Sequence, residues 1–349
     1  MNATKIKIKK PFPTWHPFLI TLLLNPFLGA LGTWVVAYTS KQRGAQAAQP
    51  YWMSYAIGAS VRIGTPLLFA GMGELVLERA GMINIGIEGV MLCGAFGGFY
   101  AGWALHSPVL GALAGALAGA AFMLIYAGMT LKIRADQIVT GMAMNLIAAG
   151  ATSTAFDALS AAHASESLSV PRWAGVWEQG IEIPVIGPAL FEQTSLTWLA
   201  LALIPVIGWY FAKTERGLEL RAVGENPAAA QAAGINVAAA RLKACLASGA
   251  LCGLGGAFLT VSQTSSYAVN CTSGRGFVAM AAVVLGAHGT LGTASACMLF
   301  GVAFYARDAI PTSSAVVELV EILPYALALA ALCWKFKSAK APAGLGQNF

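Results

Sequence analysis

The sequence has few charged residues: Asp, Glu, Lys and Arg make up only 10% of its 349 residues, against about 25% in an ordinary soluble domain. It has four histidines and no H-E-x-x-H motif, six cysteines and no C-x-x-C pair, and no G-x-x-x-x-G-K-[ST] phosphate-binding loop. This composition excludes a soluble enzyme, a nucleic-acid-binding domain and a disordered chain. We therefore expect no metal site, no catalytic residues and no nucleic-acid partner.

Hydrophobic residues dominate instead, at 57% of the chain, with a mean hydropathy of +0.68 and 39 glycines. About 20 apolar residues suffice to cross a bilayer as a helix. The predicted fold is an all-α, polytopic helical membrane protein with about ten transmembrane segments, some of them short or broken. The apolar runs are 17–38, 52–72, 83–105, 109–131, 137–156, 197–212, 244–261, 277–287, 291–305 and 319–334.

Three of these runs predict irregular helices. The runs at 277–287 and 291–305 are short for full crossings, and re-entrant pieces are tolerated where protein covers them. The second run contains Arg62 followed by Gly64, Thr65 and Pro66, and proline removes a helical hydrogen bond. We expect that crossing to be discontinuous.

Charge predicts the orientation, because cytoplasmic loops of membrane proteins are enriched in Lys and Arg. Residues 157–192 carry five acids and one base, which places a loop at 157–194 outside, whereas 213–243 carries five bases and three acids and belongs inside. The predicted organisation is a cytoplasmic tail at 1–16, a transmembrane domain at 17–334 and a cytoplasmic tail at 335–349. Lys41 and Arg43 do not fit, since they fall outside in this scheme.

Polar residues within the apolar runs are candidates for a solute pathway, because such groups are costly at membrane depth. GELVLERAGMINIGIEG at 73–89 holds several polar residues among four glycines. It either lines a path for a polar solute or forms a short cytoplasmic turn with an ordinary Glu78–Arg79 charge pair.

Two further clusters leave the same alternatives open. Asp136 suits a helix N-cap, and Asn145 makes either an interhelical hydrogen bond or a solute contact. Arg275 follows an external loop and either anchors its helix by snorkelling or faces the solute. The candidate pathway residues are Glu74, Asn84, Glu88, Asn145, Asn270 and Arg275.

A fourth cluster, at 217–237, predicts a short cytoplasmic helix. Asn226 is a good N-cap, Pro227 suits the first helical position and Gly234 suits the C′ position, with an alanine-rich stretch of about seven residues between. Helices this short are marginal alone. The helix therefore either docks on a partner or lies on its own membrane domain.

Taken in order, the four clusters resemble permease subunits of bacterial ATP-binding-cassette (ABC) importers of the branched-chain amino acid and simple sugar type, and most closely the second permease of the nucleoside branch. The carrying strings are Glu-Arg-Ala-Gly with Asn-x-Gly-x-Glu-Gly within 73–89, Gln-Ile-Val-x-Gly-x-x-x-Asn at 137–145, Arg-Ala-Val-Gly-Glu-Asn-Pro at 221–227 with Ala-Gly-Ile at 233–235, and Gly-Arg-Gly-Phe at 274–277 with Ala-Ala-Val at 281–283. The resemblance spans about residues 60–334.

The resemblance implies an import subunit in the bacterial cytoplasmic membrane with both termini inside. It would move nucleosides or similar small polar solutes, such as simple sugars, by alternating access. ATP would be bound and hydrolysed by separate ATPase subunits, so this chain would hold no cofactor. A second homologous permease, or another copy of this chain, and an extracytoplasmic solute-binding protein would complete the assembly.

The short helix would then be the coupling helix that fits the ATPase. The residues implied in coupling are Arg221, Gly224, Glu225, Asn226, Pro227, Ala230 and Gly234.

The chain departs from the typical second permease in two places. Residues 1–50 are an addition, and Cys271 stands where Met is typical. Three other functions stay open on the sequence: an ion-coupled secondary transporter with Glu88 as the ion-binding acid, a passive channel and a membrane scaffold.

Overall fold

The computed structural model describes residues 52–173, 193–309 and 341–347, with five single positions between 322 and 333. The tail at 1–16, the predicted first crossing at 17–38, and residues 174–192 lie outside the described residues, as does most of the predicted last crossing.

The described residues form ten α-helices and no β-sheet. The helices are α1 (Trp52–Arg79), α2 (Ile87–Ala104), α3 (Pro108–Ala127), α4 (Gln137–Ala162), α5 (Ser195–Lys213), α6 (Glu215–Glu225), α7 (Pro227–Ala232), α8 (Val237–Phe258), α9 (Arg275–Leu285) and α10 (Thr290–Ala309). A π-helical turn extends α3 through Gly128–Lys132, and another extends α8 through Leu259–Gln263.

Five helical stretches are long and apolar enough to cross a membrane: Ile57–Arg79, Pro108–Lys132, Gln137–Ala162, Ser195–Lys213 and Val237–Gln263. The all-α membrane fold predicted from the sequence is therefore confirmed. The total of ten crossings stays a prediction, because two of its runs fall wholly or mostly outside the described residues.

The bundle has an inner and an outer set of helices. The most apolar stretch of α1 is 89% buried and that of α8 is 72% buried, whereas those of α4 and α5 are each 28% buried. The outer helices expose leucines such as Leu117 and Leu146. Exposed apolar side chains on membrane helices face lipid or other membrane subunits, so α3, α4 and α5 form the outer surface.

Glycines bring α2, α3 and α8 into backbone contact. A Cβ atom added at Gly94 would lie 2.7 Å from the carbonyl carbon of Gly253, and one added at Gly119 would lie 2.7 Å from the Cα of Gly253. Small residues at four-residue spacing allow this approach. Gly111, Gly115 and Gly119 of α3 repeat at this spacing, and each lies against the backbone of α2 or α8.

Two of the expectations about irregular helices were wrong, one about a break inside α1 and one about the length of α10. The helix α1 does not break at Pro66: it runs from Trp52 to Arg79 without interruption, and Gly64, two residues before the proline, packs against α10. The helix α10 is not short, since it runs for 20 residues, whereas α9 is short at 11.

Two predicted loop boundaries also move. The helix α4 continues to Ala162, five residues beyond Asp157, and α8 begins at Val237. Helical backbone therefore enters both the loop predicted at 157–194 and the loop predicted at 213–243.

Candidate functional site

The chain leaves helical structure between α1 and α2, at residues 82–86, in the interior of the bundle. Its backbone groups are satisfied by side chains from other helices. The amide of Ile83 donates 2.9 Å to Gln137 Oε1, the hydroxyl of Tyr126 donates 2.5 Å to the carbonyl of Ile83, and Asn145 Nδ2 donates 2.9 Å to the carbonyl of Ile85. Non-helical backbone at membrane depth requires such partners.

Glu74 and Asn84 lie beside this break and are fully buried. The amide of Asn84 donates 3.1 Å to Glu74 Oε1, and Asn84 Oδ1 accepts 2.8 Å from the amide of Gly86. The other carboxylate oxygen of Glu74 accepts no hydrogen bond within the described part of the chain. Glu74 therefore keeps one unused acceptor in the interior.

Glu88, in the first turn of α2, holds the N-terminus of α9. Its carboxylate accepts 2.5 Å from the hydroxyl of Thr272, 2.7 Å from the amide of Gly274 and 2.7 Å from the amide of Gly276. These amides are orphan donors at the start of α9, where backbone dipoles favour a negative charge. Gly274 adopts a φ of +78°, so the chain turns sharply into α9 on this carboxylate.

The helices α2 and α8 run side by side in the same direction, with Gly94 against Gly253 and Gly98 against Ala257. At 1.5 Å per residue, Glu88 lies about 9 Å before the first contact, and α8 begins about 24 Å before it. Glu88 is thus about 15 Å along the bundle from the start of α8. The starts of α2 and α9 meet at this level.

Arg275 and Asn270 have different surroundings. Arg275 is 8% exposed, donates 3.2 Å to the carbonyl of Cys271, and places its guanidinium carbon 5.2 Å from the ring centre of Phe304. Its guanidinium therefore packs inside the protein in this structure. Asn270 is exposed at a φ of +57° in the loop before α9, away from the break.

The structure therefore gathers four of the six candidate pathway residues around residues 83–89, namely Glu74, Asn84, Glu88 and Asn145. Each makes hydrogen bonds that hold the break together, and Asn145 Oδ1 also accepts 2.7 Å from the amide of Gly89. A role in solute passage stays a prediction for all six. The three donors on Glu88 assign its carboxylate to a helix N-terminus, which disfavours its use as an ion-binding acid.

The short helix α7 has the caps that the sequence predicts. Asn226 Oδ1 accepts 3.0 Å from the amide of Ala229, and Pro227 is the first helical residue. At the other end, the amide of Gly234 donates 2.9 Å to Gln231 and that of Ile235 donates 3.0 Å to Ala230, with Gly234 at a φ of +88°. This pattern is a Schellman motif, which ends a helix on a left-handed glycine.

The two faces of α7 differ. Pro227 and Ala230 are buried, and Ala230 packs with Val223 and Val237 in a small apolar cluster. The opposite face is exposed at Ala228, Ala229, Gln231 and Ala232. The helix therefore rests on its own chain and presents a second alanine face outward, and docking of that face on a partner stays a prediction.

The residues implied in coupling divide in the same way. Arg221, Glu225, Asn226 and Gly234 are exposed, whereas Gly224 is buried with Pro227 and Ala230. A Cβ atom at Gly224 would lie 2.9 Å from the carbonyl carbon of Arg79. Gly224 thus joins α6 to the end of α1 rather than facing outward.

Glu78 and Arg79 do not form the ordinary charge pair expected from the sequence. His288 Nε2 lies 2.8 Å from Glu78 Oε2, with both side chains almost fully buried. Arg79 instead donates from Nε, at 2.9 Å, and from Nη2 to the carbonyl of His288. The end of α1 is therefore tied to the turn between α9 and α10.

Arg241, one of the five bases counted in the loop predicted at 213–243, has a role that the sequence did not reveal. Arg241 is 1% exposed and donates 3.3 Å to the carbonyl of Ala80 and 2.9 Å to that of Gln347. The sequence pattern that could have indicated its burial is its position four residues after Val237, on the face of α8 that also buries Ala244 and Cys245.

The C-terminal residues 341–347 were predicted only as a cytoplasmic tail. The amide of Gly344 donates 2.9 Å to the carbonyl of Gly224, and that of Gly346 donates 3.0 Å to Gly81. This segment therefore packs across the junction of α1 and α6, beside α7.

Residues 56–332 match the family described as branched-chain amino acid transport system / permease component. The nucleoside ABC transporter permease protein NupC of Lactococcus lactis is 34% identical over 82% of this chain and 93% of its own length. The guanosine ABC transporter permease protein NupQ of Bacillus subtilis is 34% identical over 72% of this chain and 81% of its own length.

A putative glucose ABC transporter permease protein of Haloferax volcanii is also 34% identical, over 66% of this chain and 71% of its own length. No solved structure matches the chain. The family match covers all of α2–α10 and nearly all of α1, including the helix break and α7. The chain is therefore a membrane protein that belongs to the permease-component family of branched-chain amino acid transport systems.

Proposed function

We propose that this chain is a membrane-spanning permease subunit of an ABC importer that carries nucleosides, or simple sugars of similar size and polarity. The observation that carries the proposal is the 34% identity to a nucleoside permease over 82% of this chain. A glucose permease matches at the same identity, so the proposed solute class includes sugars as well as nucleosides.

ATP acts on separate ATPase subunits, and this chain binds no cofactor. The exposed face of α7 fits a groove on the ATPase, because it is apolar, firmly capped and flanked by exposed Arg221 and Glu225. Gly224, Pro227 and Ala230 support the helix from behind. ATP-driven closure of the ATPase subunits then displaces α7 and biases the membrane helices between two packings.

The solute path lies where the starts of α2 and α9 meet. Discontinuous helices are a recurrent way to build transport sites, because their half-helix ends and unwound backbone present donors and acceptors to the solute. A second permease, either homologous or another copy of this chain, supplies the facing wall. A solute-binding protein delivers the solute from outside the bacterial cytoplasmic membrane, and both termini are cytoplasmic.

The test is purification of the tagged chain from its native membrane, as wild type and as the Gly234→Val variant. We expect the wild type to bring an ATPase and a second permease, and its proteoliposomes to take up adenosine with ATP. Gly234→Val should assemble but uncouple ATP hydrolysis from uptake, since a β-branched residue resists a φ of +88° although its Cβ would have open space.

The matched control is Gly234→Asn, because Asn accepts the left-handed conformation. It should retain most of the wild-type uptake. A chain that purifies alone even after crosslinking would refute the importer, and normal uptake by Gly234→Val would refute the coupling role of α7.

A further inference from the structure

The half-helix α9 is held at both ends by buried charged groups. Glu88 binds its first amides, as described above. At its other end the chain turns through Gly286–Gly289, with Ala287 and His288 at φ values of +52° and +55°. Glu78 contacts the ring of His288, and Arg79 donates two hydrogen bonds to its carbonyl oxygen.

Arg79 also touches the cytoplasmic helices. Its backbone carbonyl packs directly against Gly224, where no side chain would fit. Its guanidinium lies within electrostatic range of Arg221 and Glu225. One residue thus contacts the junction of α6 and α7 through its backbone and the α9–α10 turn through its side chain.

A guanidinium that donates twice to one carbonyl oxygen constrains both the position and the direction of that carbonyl group, because its nitrogens form a rigid plane. Gly224 has no room to slide past the end of α1. A displacement of the α6–α7 junction therefore has a direct contact route to the α9–α10 turn, and through α9 to Glu88.

We propose that Arg79 is a positioning residue that transmits the movement of α6 and α7 to the half-helix α9 through the carbonyl of His288. The inference deepens the proposed function and rests on it. Arg79 touches neither solute nor ATP; it sets where α9 lies for a given position of the cytoplasmic helices.

The alternative is that Arg79 only stabilises the C-terminal turn of α9, since cations often bind the last carbonyls of a helix. The two roles differ in what they change. Loss of a merely structural contact lowers the amount and thermal stability of the assembled transporter. Loss of a transmitting contact lowers the solute moved per ATP hydrolysed while the assembly persists.

The experiment compares wild type, Arg79→Gln and Arg79→Lys in the purified full assembly. Uptake of adenosine, guanosine and glucose is measured in proteoliposomes together with ATP hydrolysis, complex yield and thermal unfolding. We expect Arg79→Gln to keep ATP hydrolysis and lower the solute moved per ATP at least tenfold. Arg79→Lys should recover part of that ratio, because it keeps the charge but loses the planar two-donor contact.

Lys132→Gln is the matched control, because Lys132 is an exposed base at the cytoplasmic end of α3. The solute moved per ATP hydrolysed by this variant should equal that of wild type. An unchanged ratio in Arg79→Gln would overturn the inference, and so would loss of assembled complex in both Arg79 variants, which would assign a structural role. If the wild-type assembly itself shows no ATP-dependent uptake of any of the three probes, the proposed function has failed instead.

Discussion

The carboxylate of Glu88 joins two helices that are 186 residues apart in sequence, measured at Gly274. A membrane interior offers no water to the first amides of α9, so the carboxylate provides acceptors that the helix cannot supply itself. This single side chain explains how the Gly-rich turn and the start of the half-helix satisfy their backbone amides inside the protein.

Glu88→Gln should therefore destabilise the protein, because an amide offers one acceptor oxygen to three donors and turns an NH₂ group toward backbone amides. A buried donor left without a partner costs about 1–3 kcal/mol. We expect a clear fall in the thermal unfolding temperature in detergent. Glu219→Gln, at an exposed position on α6, is the control, and equal stability of the two variants would contradict the role assigned to Glu88.

At the scale of elements, the close contact of α2, α3 and α8 depends on glycines, which have only a hydrogen atom where other residues carry a side chain. A Cβ at Gly253 would lie 3.0 Å from the Cα of Gly119 and closer still to the carbonyl oxygen of Gly115. Both atoms belong to the rigid backbone of α3, so the helices must separate to accept even a methyl group.

Gly253→Ala should accordingly lower the thermal stability, although alanine favours helix by about 1 kcal/mol over glycine. Gly150→Ala, on α4, is the matched control, since nothing lies within 4 Å of its added Cβ, and it should leave stability unchanged or raise it. A Gly253→Ala protein as stable as the control would show that the helices do not meet as described.

The elements also show what the sequence can predict. The caps of α7 are local, since Asn226, Pro227 and Gly234 act within eight residues, and they were predicted correctly. The continuity of α1 across Pro66 was not predicted, because it involves packing against α10, which lies far away in the sequence. The partners of Ile83 and Ile85 come from Gln137 and Asn145, more than 50 residues away, a pairing that periodicity does not reveal.

At the scale of the molecule, a lipid-facing outer layer surrounds the buried helices α1 and α8. Composition alone predicted the membrane fold, because 57% hydrophobic residues leave few other solutions. Composition could not predict the burial of Arg241 or the packing of residues 341–347 over Gly81 and Gly224, since both depend on contacts between distant parts of the chain.

The central claim is that transport through this chain is driven by ATP. The most direct test is uptake of radiolabelled adenosine by cells that lack the gene and by cells complemented with it. ATP is depleted in one arm, and the ion gradients are collapsed by ionophores with ATP maintained in the other. We predict that complementation restores an uptake that stops with ATP depletion and survives the ionophores. Uptake that follows the ion gradients and ignores ATP would contradict the account.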